Sequence, residues 1–186
     1  MKHLSLLLPF LLIGLFGCTE ADPVGVGTEV VEAPSKAVAV AKTPFRAENN
    51  TLFNPGFFSD PSKPSWVGEL THAGGTYGIV FYSTGSGKPF PENVRGRAFH
   101  FEEIWEVYAW VDFDFDTQTL TTGDLLLKGV GTGLVAPNGE FHSNGPVTEA
   151  YGDMSMWLGR HEHTSGIVVY TPEGFPVSAH GEFRLN

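Results

Sequence analysis

The sequence predicts an all-β protein: a single antiparallel β-barrel of about eight strands, placed after a signal peptide and a flexible tether. Three observations carry this. Beyond the first residues no window holds a helical period. Short runs rich in Val, Ile, Thr and aromatic residues alternate with Gly-, Pro- and Asn-rich turns from about residue 66 to the end. Residues 97–116, RAFHFEEIWEVYAWVDFDFD, alternate between an apolar set (Phe99, Phe101, Trp105, Val107), broken at one position, and a mostly acidic one. An alternation of that length exceeds an ordinary strand of roughly 3 to 10 residues. It therefore implies one strongly bent strand or two joined by a bulge, the way barrels turn corners.

The chain opens with a short basic stretch (Lys2, His3) and an apolar run over 4–16 that ends at Gly17-Cys18. Too short to span a bilayer, it reads as an export signal, residues 1–17. Leu15-Phe16-Gly17-Cys18 resembles the lipobox of bacterial lipoproteins, with Phe16 where a small residue is usual. The resemblance implies that Cys18 becomes the lipidated first residue and holds the protein at the cell envelope, on the periplasmic side of the outer membrane if the cell has two membranes. Cys18 is also the only cysteine, so no intramolecular disulfide exists and stability must come from a packed core. The formal charge of −10 argues against nucleic acid or an anionic membrane as an electrostatic partner. The membrane partner is reached through the acyl chain instead.

Residues 18–50, rich in Ala, Val, Gly, Pro, Glu and Lys, are expected to form the tether, and 51–186 the barrel domain. The stretch 52–65 mixes three prolines with three phenylalanines and is expected to lie over one end of the core. Strands are expected over 66–72, 75–83, 97–116, 120–134, 140–151, 154–170 and 177–185. Asp116-Thr117-Gln118-Thr119 and Pro137-Asn138-Gly139 supply hairpin turns, and Gly129, Gly131 and Gly133 mark a kink or a close approach. Over about 52–186 the strand pattern and glycine placement resemble the calycin and allene-oxide-cyclase-like barrels. That resemblance implies an apolar interior able to hold a small molecule, and it carries no family site residue onto this chain.

Glu103 is the one residue that breaks the apolar register of the long alternation. Facing inward, its carboxyl would be hard to ionise and could act as an acid or polarise a ligand. A bulge after Phe101 would turn it outward instead. Among the aromatics, Phe99, Phe101, Trp105 and Trp157 are the candidate ligand-lining set, though such residues also simply fill cores. His161-Glu162-His163 places two imidazoles on one strand face, and His100 lies on another strand; together they are the candidate set for a divalent metal. The HxH with Pro172-x-Gly174 and His180 is similar to the metal motifs of cupins, without their following glutamate. The plainer alternative leaves these histidines on a solvated face with no metal. No nucleophile elbow is present, so a hydrolase triad has no support. The leading expectation is a lipid-anchored barrel that binds a small apolar ligand without cofactor. The rival is a barrel enzyme, either a cyclase or isomerase using Glu103 or a metal enzyme using His161 and His163.

Overall fold

The computed structural model describes residues 44–85 and 98–186. The lipobox, Cys18 and Arg97 lie outside the described residues. Ten strands form: β1 (Phe45–Phe53), β2 (Trp66–His72), β3 (Gly75–Gly85), β4 (Phe99–Tyr108), β5 (Val111–Asp114), β6 (Thr119–Thr122), β7 (Leu125–Val135), β8 (Glu140–Ala150), β9 (His161–Tyr170) and β10 (Pro176–Leu185). Eight of them close an antiparallel barrel in the order β1-β10-β9-β8-β7-β4-β3-β2. β5 and β6 form a separate hairpin that packs against β2 and β3.

β1 begins at Phe45, inside the stretch expected to be tether. Its inward residues are Phe45, Ala47, Asn49, Thr51 and Phe53, all buried, alternating with exposed Arg46, Glu48, Asn50 and Leu52. Two polar residues in the inward set hide the strand from a search for apolar alternation. β1 is the strand that closes the barrel, pairing with β10 on one side and β2 on the other.

The long alternating stretch divides into two strands. Residues Ala109 and Trp110 bend between β4 and β5, and the register of β4 on β7 shifts between Val107 and Tyr108. The bulge therefore lies beyond Glu103 rather than before it, and Glu103 keeps its inward direction. After the bend the chain leaves the barrel wall as the β5–β6 hairpin.

Facing β4 across the ladder, β7 presents a glycine to three consecutive inward side chains. Phe101 pairs with Gly133, Glu103 with Gly131 and Trp105 with Gly129. A Cβ at Gly129 would sit 2.1 Å from the Trp105 ring, and one at Gly133 2.3 Å from the Phe101 ring. The three glycines are thus a steric match to three bulky partners one strand away, which lets rings lie flat on the sheet.

Side chains fill the interior in two apolar clusters. One surrounds Trp105 and Phe183, whose rings meet edge-to-face at 5.4 Å, and includes Phe45, Leu70, Leu127 and Trp157. The short 3-10 helix Gly152–Trp157 delivers Trp157 into that end. The second cluster, around Phe101, Val135, Val168 and Ala179, lies at the opposite end, with Phe99, Phe141, Tyr170 and Trp66 packed on it. The segment 54–65 links β1 to β2 at that end. Asn54 accepts from Gly56 N (3.0 Å) and donates to Pro64 O (2.9 Å), and Trp66 packs edge-on against Phe53 at 5.0 Å.

Candidate functional site

Between the two apolar clusters the barrel wall turns polar on its inner side. Asn49 and Thr51 on β1, Ser83 on β3, Glu103 on β4, Ser143 on β8, and Glu162 and Thr164 on β9 are all buried. Each occupies an inward position of its strand, so ordinary two-residue alternation delivers them to one layer of the interior. Asn49, Thr51, Ser83, Glu103, Ser143 and Thr164 then line a cavity of about 40 Å³ together with the aromatic residues Trp66, Phe81, Phe99, Phe101, Phe141 and Tyr170.

The two carboxyl groups dominate this layer. Glu103 is 7 % exposed and Glu162 fully buried. Ser143 lies near both: its hydroxyl donates to Glu162 Oε1 at 3.5 Å, a long contact, and its dipole favours the ionised form of Glu103. The Thr164 hydroxyl donates to the same Glu162 oxygen. Removal from water pushes Glu103 up to about 7, against the smaller opposing pull of Ser143. Burial raises Glu162 well above the ordinary carboxylate range, and the charge on Glu103 raises it further. Burial thus disfavours the charged form of both carboxyls, and each makes the other harder to ionise.

Several buried polar atoms in this layer lack a hydrogen-bond partner among the described residues. Asn49 Oδ1, Glu103 Oε1 and the Tyr170 hydroxyl belong to cavity-lining residues; Glu162 Oε2 and Trp105 Nε1 lie outside that lining. Other members of the layer are satisfied locally. The Ser65 hydroxyl donates to Phe81 O and sits 2.9 Å from Ser83 Oγ, while Thr51 Oγ1 reaches Ala179 O at 3.5 Å. No ion pair among the described residues reaches Glu103, and Arg160 is exposed.

The sequence-predicted residues separate into three places. Glu103, Phe99 and Phe101 meet at the cavity. Trp105 and Trp157 belong to the packed cluster at the far end and do not line it. His161 and His163 share the outer face of β9, while His100 is on the outer face of β4, with β7 and β8 between those strands. Among the described residues no group of three or more His, Cys, Asp or Glu side chains is placed to hold a metal ion.

Sequence reasoning missed Glu162. Its signal lay in the same HEHT run: if His161 and His163 face solvent, the glutamate between them faces the interior. Asn49, Ser143 and Thr164 were missed because short polar residues inside a barrel strand look like ordinary solvent-facing positions. A further polar arrangement occurs outside the barrel, where Ser178 Oγ is 3.1 Å from His180 Nε2 and His180 Nδ1 is 2.9 Å from Asn50 Oδ1. The order is that of a nucleophile, base and orienting group. Ser178 is only 8 % exposed, which shields its hydroxyl, and the row ties β10 to its neighbour β1. The chain matches no family model, no curated protein and no solved structure.

Proposed function

We propose that the chain is a lipid-anchored envelope protein, held through Cys18, whose calycin-like barrel binds a small, largely apolar molecule at the end lined by Trp66, Phe99, Phe101, Phe141 and Tyr170. One observation carries the reading: Asn49 Oδ1, Glu103 Oε1 and the Tyr170 hydroxyl belong to this lining, buried among aromatic rings and without a partner. Leaving a buried polar group unpaired costs about 1–3 kcal/mol each. A barrel kept only for its packing would do better with apolar side chains there. A bound molecule that meets these atoms removes the cost.

The cavity of about 40 Å³ offers room for roughly three waters. Pockets for drug-sized molecules run to about 300–1,000 Å³. Binding therefore requires the rings at the mouth to move, and Phe99, Phe141 and Tyr170 are only partly buried. The far end, packed around Trp105 and Phe183, takes no part.

Fluorobenzene, followed by fluorine NMR on the full chain carrying Cys18→Ser, tests the reading. Saturable line broadening that Phe101→Ala alters and an outer-face change, Ile167→Ser, does not would support it. Absence of any saturable interaction would overturn it. Glu103 also supports a second reading, a barrel enzyme with Glu103 as acid or base, because its carboxyl is held near neutrality where proton transfer in both directions is easy. That reading requires turnover of a bound substrate, and Glu103→Gln would abolish turnover while leaving binding in place.

A further inference from the structure

We infer that the ligand of this cavity carries a primary ammonium group, which docks on Glu103, Asn49 and Tyr170 with its apolar body under the aromatic rings. The inference rests on the binding reading above and names the class of molecule.

Donor and acceptor inventory comes first. The unpartnered atoms of the lining are oxygens: the amide carbonyl of Asn49, one carboxyl oxygen of Glu103 and the phenol oxygen of Tyr170. The first accepts only, the second accepts most strongly when ionised, and the third both accepts and donates. A molecule that satisfies them must bring several donors on a small head. An ammonium brings three on a single nitrogen about the size of a water molecule, matching a cavity of about 40 Å³. An alcohol brings one donor, and a carboxylate brings none.

Charge points the same way. No cation among the described residues pairs with Glu103, so among them an ionised Glu103 is a buried charge without a counter-ion. An anionic ligand would add a second negative charge to it. A cationic one neutralises it, and hydrogen bonds between charged groups are among the strong ones. The surrounding walls suit a cation as well. Trp66, Phe81, Phe99, Phe101 and Phe141 line the space, and ring faces attract ammonium groups through their quadrupoles. The net charge of −10 concentrates cations around the whole protein. A metal ion fits less well, because one carboxylate, one amide and a phenol leave such an ion short of anionic ligands.

Three matched probes decide the matter on the full chain carrying Cys18→Ser: para-fluorobenzylamine, para-fluorobenzyl alcohol and para-fluorobenzoate, titrated by fluorine NMR at neutral pH. The amine is expected to bind at least about tenfold tighter than the alcohol, with the benzoate weakest. Glu103→Gln is expected to erase the amine's advantage over the alcohol. Equal binding of amine and alcohol, or an advantage that survives Glu103→Gln, overturns the ammonium inference and leaves the apolar-ligand reading standing. Failure of all three probes and of fluorobenzene overturns both. Equal binding of amine and alcohol by the wild-type chain overturns the inference however the variant folds.

Discussion

At the residue scale, Glu103 shows how a single side chain can oppose stability in order to equip a cavity. Its folded-state value of about 7 exceeds the 4.5 expected of an exposed glutamate, because burial disfavours the charged form. Below pH 4.5 both folded and unfolded chains hold the proton, and the group contributes nothing to the balance. Between 4.5 and 7 the unfolded chain releases it while the folded chain retains it, so stability falls as pH rises. The loss through that window approaches about 3 kcal/mol at about 1.4 kcal/mol per unit. Glu162 is raised in the same direction and adds to the fall. Glu103→Gln is therefore expected to unfold at higher urea than wild type at pH 8, with little difference at pH 4.5. Urea titrations at both values with an unchanged m-value check this, and equal midpoints at pH 8 would show that Glu103 is not desolvated. Glu103 was visible in the sequence as the one break in a long alternation. Glu162 was equally visible in principle, but only once the neighbouring histidines were assigned to the outer face.

At the element scale, the pairing of β4 with β7 explains a glycine pattern that the sequence could only mark as a close approach. Gly129 and Gly133 receive the rings of Trp105 and Phe101, and both rings are buried. Gly129→Ala is expected to cost about 3 kcal/mol or more, since overpacking a rigid core typically costs 1–3 kcal/mol and Trp105 has no free volume to move into. Gly131→Ala should cost less, because its nearest neighbour at 3.1 Å is the end of the Glu103 side chain. Combining Gly129→Ala with Trp105→Leu should recover part of the loss, and the coupling in that double-mutant cycle measures the contact. Additive losses would mean that the ring and the glycine do not meet.

The same scale separates the aromatics that sequence reading grouped together. Trp157 arrives on a short 3-10 helix and seals the packed end, where Phe45 meets its ring at 6.5 Å. Trp157→Ala is expected to lower stability by about 3–5 kcal/mol while leaving the affinity of a cavity probe unchanged. Thermal melts beside fluorine NMR titrations distinguish that from a ligand-lining role, in which affinity would fall as well. Phe101→Ala should change both.

At the scale of the whole molecule, closure is the property on which the rest depends. β1 joins β10 and β2, so every barrel strand has two partners and no edge is left open. Deleting residues 1–49 would remove half of β1, including inward Phe45, Ala47 and Asn49, and uncover the edges of β2 and β10. The truncated chain is expected to lose its cooperative urea transition and to self-associate in size-exclusion chromatography. Deleting only 1–42 should leave the transition intact, because the barrel wall starts at Phe45. Similar behaviour of the two truncations would contradict the closing role of β1.

What the sequence alone determined was the local and the compositional: an all-β chain, most strand positions, the hairpin turns, the absence of disulfides, and Glu103 as the anomaly in its strand. These follow from side-chain alternation and turn chemistry, which act over a few residues. Tertiary structure decided what long-range pairing decides. It brought Glu103 beside Ser143 and Glu162 from three different strands, set Trp105 and Trp157 in packing rather than at the cavity, and put two strands between His100 and the β9 histidines. It also recruited Phe45–Phe53 as the closing strand despite its polar inward residues. Strand order and register depend on contacts more than a hundred residues apart, as between β1 and β10, and alternation along one strand carries no information about which neighbour completes the wall.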